Sequence, residues 1–299
     1  MRVPEVIAAY RQAIAEDDRA VARDWLEKLE GEAYRNEADW ALIRPFFQKE
    51  GLHGRLQLVT NALIKRGAAK TGQPYFVLAG LYLRSGQLDE AVPLIAQYRK
   101  LKPEAPVKDW NADSWDFVNL LLEAHLYEDC LIEIRAMLKA SPDEFQYLIT
   151  EARVLGKLRD TKAGLKKLKA LKPMLGRDGG RWEAYADVAF ALGDDLLGQA
   201  AVGKLIELLE KNEGRLNWYG SHIMKRNGYA ADLTRLVFAA DPKIYTGIPD
   251  LTYVFDVAQE VGAAKTAARF GNAILALGPD EKLRDRIDRF LAEPGFLMA

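Results

Sequence analysis

Glycine recurs along this chain at a nearly constant interval, and no other feature restricts its fold as much. Gly51, Gly86, Gly156, Gly193, Gly228 and Gly262 are separated by 35, 70, 37, 35 and 34 residues. The 70 is twice 35, so one turn of the series has another residue in glycine's place, expected near His125. A fixed period of about 35 residues is the mark of stacked repeats. Each of these glycines follows one segment of helical period and precedes another. Around Gly86, Tyr75 to Leu83 and Leu88 to Tyr98 both carry apolar residues three and four apart, as amphipathic helices do. Glycine at the joint supplies the positive φ that ends the first helix and turns the chain back.

Eight helix pairs are expected, at about 2–30, 38–68, 73–102, 112–141, 144–172, 181–210, 215–241 and 249–277, with a last helix over 280–292. Pro103, Pro142, Pro173 and Pro279 close units, since proline cannot continue a helix but fits the first turn of the next. In Ser141-Pro142-Asp143-Glu144, Ser141 is the expected cap, Pro142 the first helical residue and Glu144 the return partner of a capping box. Pro93 is expected near a helix start, and Pro45 inside a helix that it should kink. The segments 102–106 and 176–180 are the expected flexible joints. No alternating run of β-branched residues predicts a strand.

Charge and composition narrow the function. The chain of 299 residues has 42 Lys plus Arg against 43 Asp plus Glu, a balance that lacks the basic footprint of a nucleic-acid binder. One cysteine, Cys130, rules out an internal disulfide and a multi-thiolate metal site. No signal peptide is read at the start and no stretch is apolar enough to span a bilayer, so a cytoplasmic protein is expected.

At the level of residues the repeats resemble the tetratricopeptide repeat. The best unit is Tyr75, Leu78, Ala79, Tyr82, Gly86, Ala91, Ile95, Tyr98 and Pro103. The unit Leu251, Val254, Ala258, Gly262, Ala267, Ile274 and Pro279 is similar, with Phe255 in the small-residue slot. Looser copies run through Phe145, Ala152 and Gly156 and through Trp182, Ala186 and Gly193, whereas the first two units and that around Trp218 are degenerate. The resemblance implies an all-α, right-handed superhelical solenoid of about eight helix-turn-helix repeats. It would run as a single solenoid over 1–299, with degenerate repeats in 1–70, clearer ones in 73–277 and a cap and tail in 280–299. Small residues let paired helices approach, and large ones fill the gap to the next pair. The cap is read from Glu281 to Leu291, where one apolar stripe faces a densely charged surface.

In this family the first helix of each pair lines a concave groove. Projecting that face onto the chain selects Phe76, Arg84, Trp115, Asn119, Gln146, Thr150, Arg153, Glu183, Asp187, Trp218, His222, Lys225 and Arg226. Aromatic rings beside Arg, Asn and Gln suit a bound peptide, the rings as rigid anchors and the polar groups for its backbone. The lysine-containing clamp that some family members use for C-terminal carboxylates is not expected, because Trp115 precedes Asn119 where that lysine would be. Lys162, Lys166, Lys167, Lys169 and Lys172 surround the stripe Leu165, Leu168, Leu171 and Leu175, as a solvated face or as a patch for an acidic partner or membrane surface.

Catalytic and cofactor motifs are not found. His53, His125 and His222 lie far apart, outside any metal-binding spacing. Cys130 occupies the small slot held by Ala91 in the better unit and reads as a buried structural thiol. Gly198 to Lys204 imitates a phosphate-binding loop, but Leu205 stands where Ser or Thr must hold magnesium and no strand precedes it. Asp194-Asp195 follows Gly193 and reads as a helix start, where acidic residues favour the dipole. The expectation is a non-catalytic adaptor, without cofactor or metal, that binds a protein or peptide in its groove. The alternative is the substrate-recruiting subunit of a modifying enzyme, such as a bacterial glycosyltransferase, and an all-α enzyme comes last.

Overall fold

The computed structural model describes residues 2–33, 35–101, 112–211 and 213–292. Among them are seventeen α-helices and no strand, and none of the helices is long and apolar enough to cross a membrane. The chain divides into two compact units, Met1–Ala140 and Ser141–Ala299. Unit 1 contains α1 (Val3–Ala15), α2 (Arg19–Ala33), α3 (Glu37–Lys49), α4 (His53–Lys65), α5 (Gln73–Arg84), α6 (Leu88–Leu101), α7 (Ala112–Glu123) and α8 (Tyr127–Ala140). Unit 2 contains α9 (Phe145–Lys157), α10 (Thr161–Ala170), α11 (Gly179–Ala191), α12 (Asp195–Glu210), α13 (Trp218–Arg226), α14 (Ala230–Ala239), α15 (Ile248–Glu260), α16 (Ala264–Ala276) and α17 (Glu281–Ala292). Consecutive helices pair, and each pair packs on its neighbour within its unit, as the helices of a solenoid do.

Within every pair the turn carries one residue at positive φ: Asp17, Gly51, Gly86, His125, Arg159, Gly193, Gly228 and Gly262. The steps are 34 or 35 residues except for the 39 from Gly86 to His125. The turns close by one recipe. At Gly193, its own N–H bonds Phe190 O and the N–H of Asp194 bonds Ala189 O, the paired bonds of a Schellman cap. His125 takes the glycine's place as expected, at φ 57. Gly156 does not make its turn. It lies inside α9, and Arg159 three residues later is left-handed at φ 64. A Cβ on Gly156 would collide with the Leu192 side chain, so this glycine serves close packing.

One other local expectation changes. The N-cap of α9 is Glu144, which accepts from Gln146 N, while Ser141 O accepts from Glu144 N in a preceding turn. Pro142 therefore precedes the helix instead of starting it. As expected, Pro93 lies near the start of α6, in its second turn, and Pro45 lies inside α3. The joint at 102–106, with Pro103, lies outside the described residues. Asp194 caps α12 by accepting from Leu197 N, and the Gly198 to Lys204 string lies wholly inside that helix.

Both cores combine large rings with small residues. In unit 1 the degenerate first pairs close around large rings. Trp40, 1% exposed, packs with Phe46, Phe47, Leu29, Leu56 and Leu63. Its Nε1 donates to Thr60 Oγ1 at 2.9 Å, and that hydroxyl donates to Leu56 O, so the buried polar atoms are partnered. Cys130 is fully buried with Sγ 3.8 Å from Val118 O, and burial pushes its thiol up to about 12. Unit 2 encloses Tyr185, Phe255 and Phe270, with Ala152, Ala186, Ala189, Ala201, Ala258 and Ala267 buried beside them. The last helix, α17, buries Ile287 and Phe290, the latter edge-on to Phe255 at 5.3 Å, and exposes its charged face. Such a one-sided helix is what an open stack end requires.

Candidate partner-binding clefts

First helices carry most of the residues that the repeat pattern selects, and three open clefts form among them. In unit 1 a cleft of about 500 Å³ lies among α3, α5 and α7. Phe76, Arg84 and Asn119 line it, joined by Arg44, Gln48, Gln73, Asp116 and Glu123. Its floor is aromatic, Tyr98 meeting Phe76 at 5.2 Å and Phe117 at 4.9 Å. Arg44 is partly fixed, with its guanidinium 5.6 Å from the Trp40 ring centre and Nη1 donating to Gln73 Oε1 at 3.3 Å. Trp115, half-buried on α7, does not line this cleft.

In unit 2 the same face is laced by polar contacts one repeat apart. Arg153 Nη2 donates to Asp187 Oδ2 at 2.9 Å, and Arg226 Nη2 to Asp187 Oδ1 at 2.8 Å. Tyr219 OH donates to the same Oδ2 at 2.8 Å and accepts from Arg153 at 3.1 Å. Burial pushes this phenol up to about 12, which keeps it a donor. These groups border a cleft of about 450 Å³ among α9, α11 and α13, with Lys157, Phe190 and Asn227. Across α13 a third cleft, about 280 Å³, is lined by Trp218, His222, Lys225, Tyr253, Asp256 and Glu260. The Trp218 and His222 rings stack at 5.4 Å, and 64% of Trp218 is exposed. Lys225 Nζ donates to both Glu260 oxygens at 2.7 Å, and Asp256 pairs with Arg286 at 3.0 Å.

Not every selected residue reaches a cleft. Thr150 is buried and donates to Gln146 O at 2.7 Å; Gln146 is exposed at the start of α9. Glu183, 4% exposed, receives both bonds of the Asn217 amide at 2.9 and 3.0 Å. Asn217 in turn caps α13 by accepting from Gly220 N at 2.8 Å. A Cβ on Gly220 would stand 2.6 Å from Glu183 Oε1, so the glycine lets α13 settle on α11. Burial pushes the Glu183 carboxyl up to about 7, against the lowering effect of Asn217.

The lysine helix is also partly engaged. Lys167 donates to the buried Glu151 at 2.8 Å, and Lys169 pairs with Asp194 at 3.1 Å. Lys162, Lys166 and Lys172 are exposed. Sequence reading missed Lys157, Tyr219, Asn217, Tyr253 and Glu260. A signal for several of them exists, because Arg153–Asp187, Glu183–Asn217 and Lys225–Glu260 are 34, 34 and 35 residues apart. Complementary groups one repeat apart on the same helix face meet.

No family model and no curated protein matches the chain. Solved structures do. The chain is similar in fold to tetratricopeptide-repeat proteins. One such protein, from Parabacteroides merdae, is 12% identical with a TM-score of 0.44, over 89% of this chain and 98% of that one. A chain of the Naa15/Naa10 complex bound to HypK-THB is 15% identical with a TM-score of 0.39, over 97% of this chain but 39% of that one.

Proposed function

We propose that this chain is a non-catalytic scaffold that binds an extended segment of another protein along the faces of its first helices. The observation that supports it is the convergence of first-helix rings, guanidiniums and amides on open clefts of about 500, 450 and 280 Å³. An extended chain presents backbone groups and alternating side chains, which such amides, guanidiniums and rings can engage. Trp218 is the best single anchor because its indole is largely exposed and held in place by His222. The full chain used as bait in native lysate, with mass spectrometry, should capture a stoichiometric protein. Trp218→Ala or Arg84→Ala should lose it; retention by both variants refutes binding at these clefts. If the captured protein is itself a modifying enzyme, the chain is a recruiting subunit that uses the same faces.

A further inference from the structure

The two clefts that flank α13 differ in how their charges are balanced. In the cleft among α9, α11 and α13, three cations, Arg153, Lys157 and Arg226, face one carboxylate, Asp187. Asp187 engages one Nη2 of each arginine, which fixes both guanidiniums and leaves further N–H donors on each. A guanidinium has five donors, and Lys157 is exposed at the rim. This cleft therefore presents uncompensated positive charge on oriented donors, the arrangement that receives a carboxylate. Across α13 the charges cancel in pairs, Lys225 with Glu260 and Asp256 with Arg286. What that cleft still offers is apolar surface: the exposed indole of Trp218, backed by His222, and the ring of Tyr253.

Building on the scaffold reading above, we propose that the ridge of α13 docks a partner segment carrying an acidic side chain for the Arg153–Lys157–Arg226 cleft and an aromatic or large aliphatic one for the Trp218–Tyr253 cleft. The ridge sets their separation. A helix with its side chains is about 10–12 Å across, and an extended chain advances about 3.3 Å per residue. Side chains of an extended chain alternate in direction, so the two that point at the ridge should stand about four residues apart.

The test uses fluorescein-labelled peptides on a Gly/Ser/Ala background, each with one Glu and one Phe at separations from one to eight residues. Binding to the full chain is followed by fluorescence anisotropy. Affinity should peak at a separation of about four residues and fall at the odd separations on either side. Lys157→Glu, at an exposed site, should weaken the best peptide about five- to tenfold and leave its Glu→Gln counterpart unchanged. Trp218→Ala should weaken the Phe peptide and leave its Phe→Ser counterpart unchanged. Equal binding at every separation, or losses that do not depend on the matching peptide residue, overturns the proposal. So does a phosphoserine peptide that binds where its Glu counterpart does not. A captured protein partner lost on Trp218→Ala, together with peptides that show no such coupling, would sink this motif while the scaffold reading stood.

Discussion

Unit 1 and unit 2 are built from the same helix pair yet use the charges on their first-helix faces differently. The first pairs of unit 1 enclose large rings, with Trp40, Phe46 and Phe47 buried among leucines. Ion pairs join second helices in both units, Arg55 with Glu30 and Arg99 with Asp129 in unit 1 and Arg235 with Glu210 in unit 2. On the first-helix face of unit 1, Arg84, Asp116 and Glu123 line a cleft without being fixed to one another. In unit 2 the corresponding face is tied by contacts such as Arg153–Asp187–Arg226, Glu183–Asn217 and Lys225–Glu260. The lesson is that a groove-facing charge can be a staple or a contact, and its neighbour one repeat away decides which.

The largest effect in unit 1 is expected at its buried indole. Trp40→Ala removes a fully enclosed indole and its bond to Thr60, and should cost about 3–5 kcal/mol of stability, read from denaturant midpoints with an unchanged slope. A loss below about 1 kcal/mol would mean that the ring is not what closes this core.

Unit 2 should show its dependence through pH. Glu183 ionises at about 7 in the folded chain against an ordinary 4.5, so the fold holds a proton that the unfolded chain releases. Its contribution is full below about pH 4.5, declines as pH rises through about 7 and is flat above that. The shift corresponds to about 3 kcal/mol, as an order of magnitude. Glu183→Gln cannot ionise, so stability measured between about pH 5 and about pH 8 should fall less steeply in the variant than in the parent. Parallel curves would show that this carboxyl is not held protonated beneath α13.

The fold was largely legible because a period of about 35 residues sets both where helices end and which faces must be covered. What failed was the identity of single turn residues. Gly156 sits one turn from the expected position, but its missing Cβ admits Leu192, and Arg159 accepts the left-handed conformation at a cost of about 1–2 kcal/mol. Glu144 displaced Ser141 as a cap because Pro142 and Asp143 remain in the preceding turn. The clefts were legible by face and not by state. Selecting the exposed side of each first helix reached Asp187 and Lys225, but burial of Glu183 and the partners of Asp187 depend on how closely neighbouring helices approach. Gly220 sets one such approach, and a single sequence read unit by unit does not reveal it.

Two substitutions sharpen the division between staples and contacts. Asp187→Asn keeps the shape of the side chain but removes the negative charge between Arg153 and Arg226 and weakens the acceptor for Tyr219. Because Asp187 is only 18% exposed, the two guanidiniums are left facing each other in partial burial, and stability should drop by about 1–3 kcal/mol. Arg84→Ala, on the exposed end of α5 in the unit 1 cleft, breaks no ion pair among the described residues, and stability should stay within about 0.5 kcal/mol of the parent. Its effect should appear only when a partner is present, as weaker capture by an otherwise equally stable chain. A stability loss at Arg84 as large as that at Asp187 would erase the distinction, because the unit 1 cleft would then also be held by its own charges and would have fewer of them to offer a ligand.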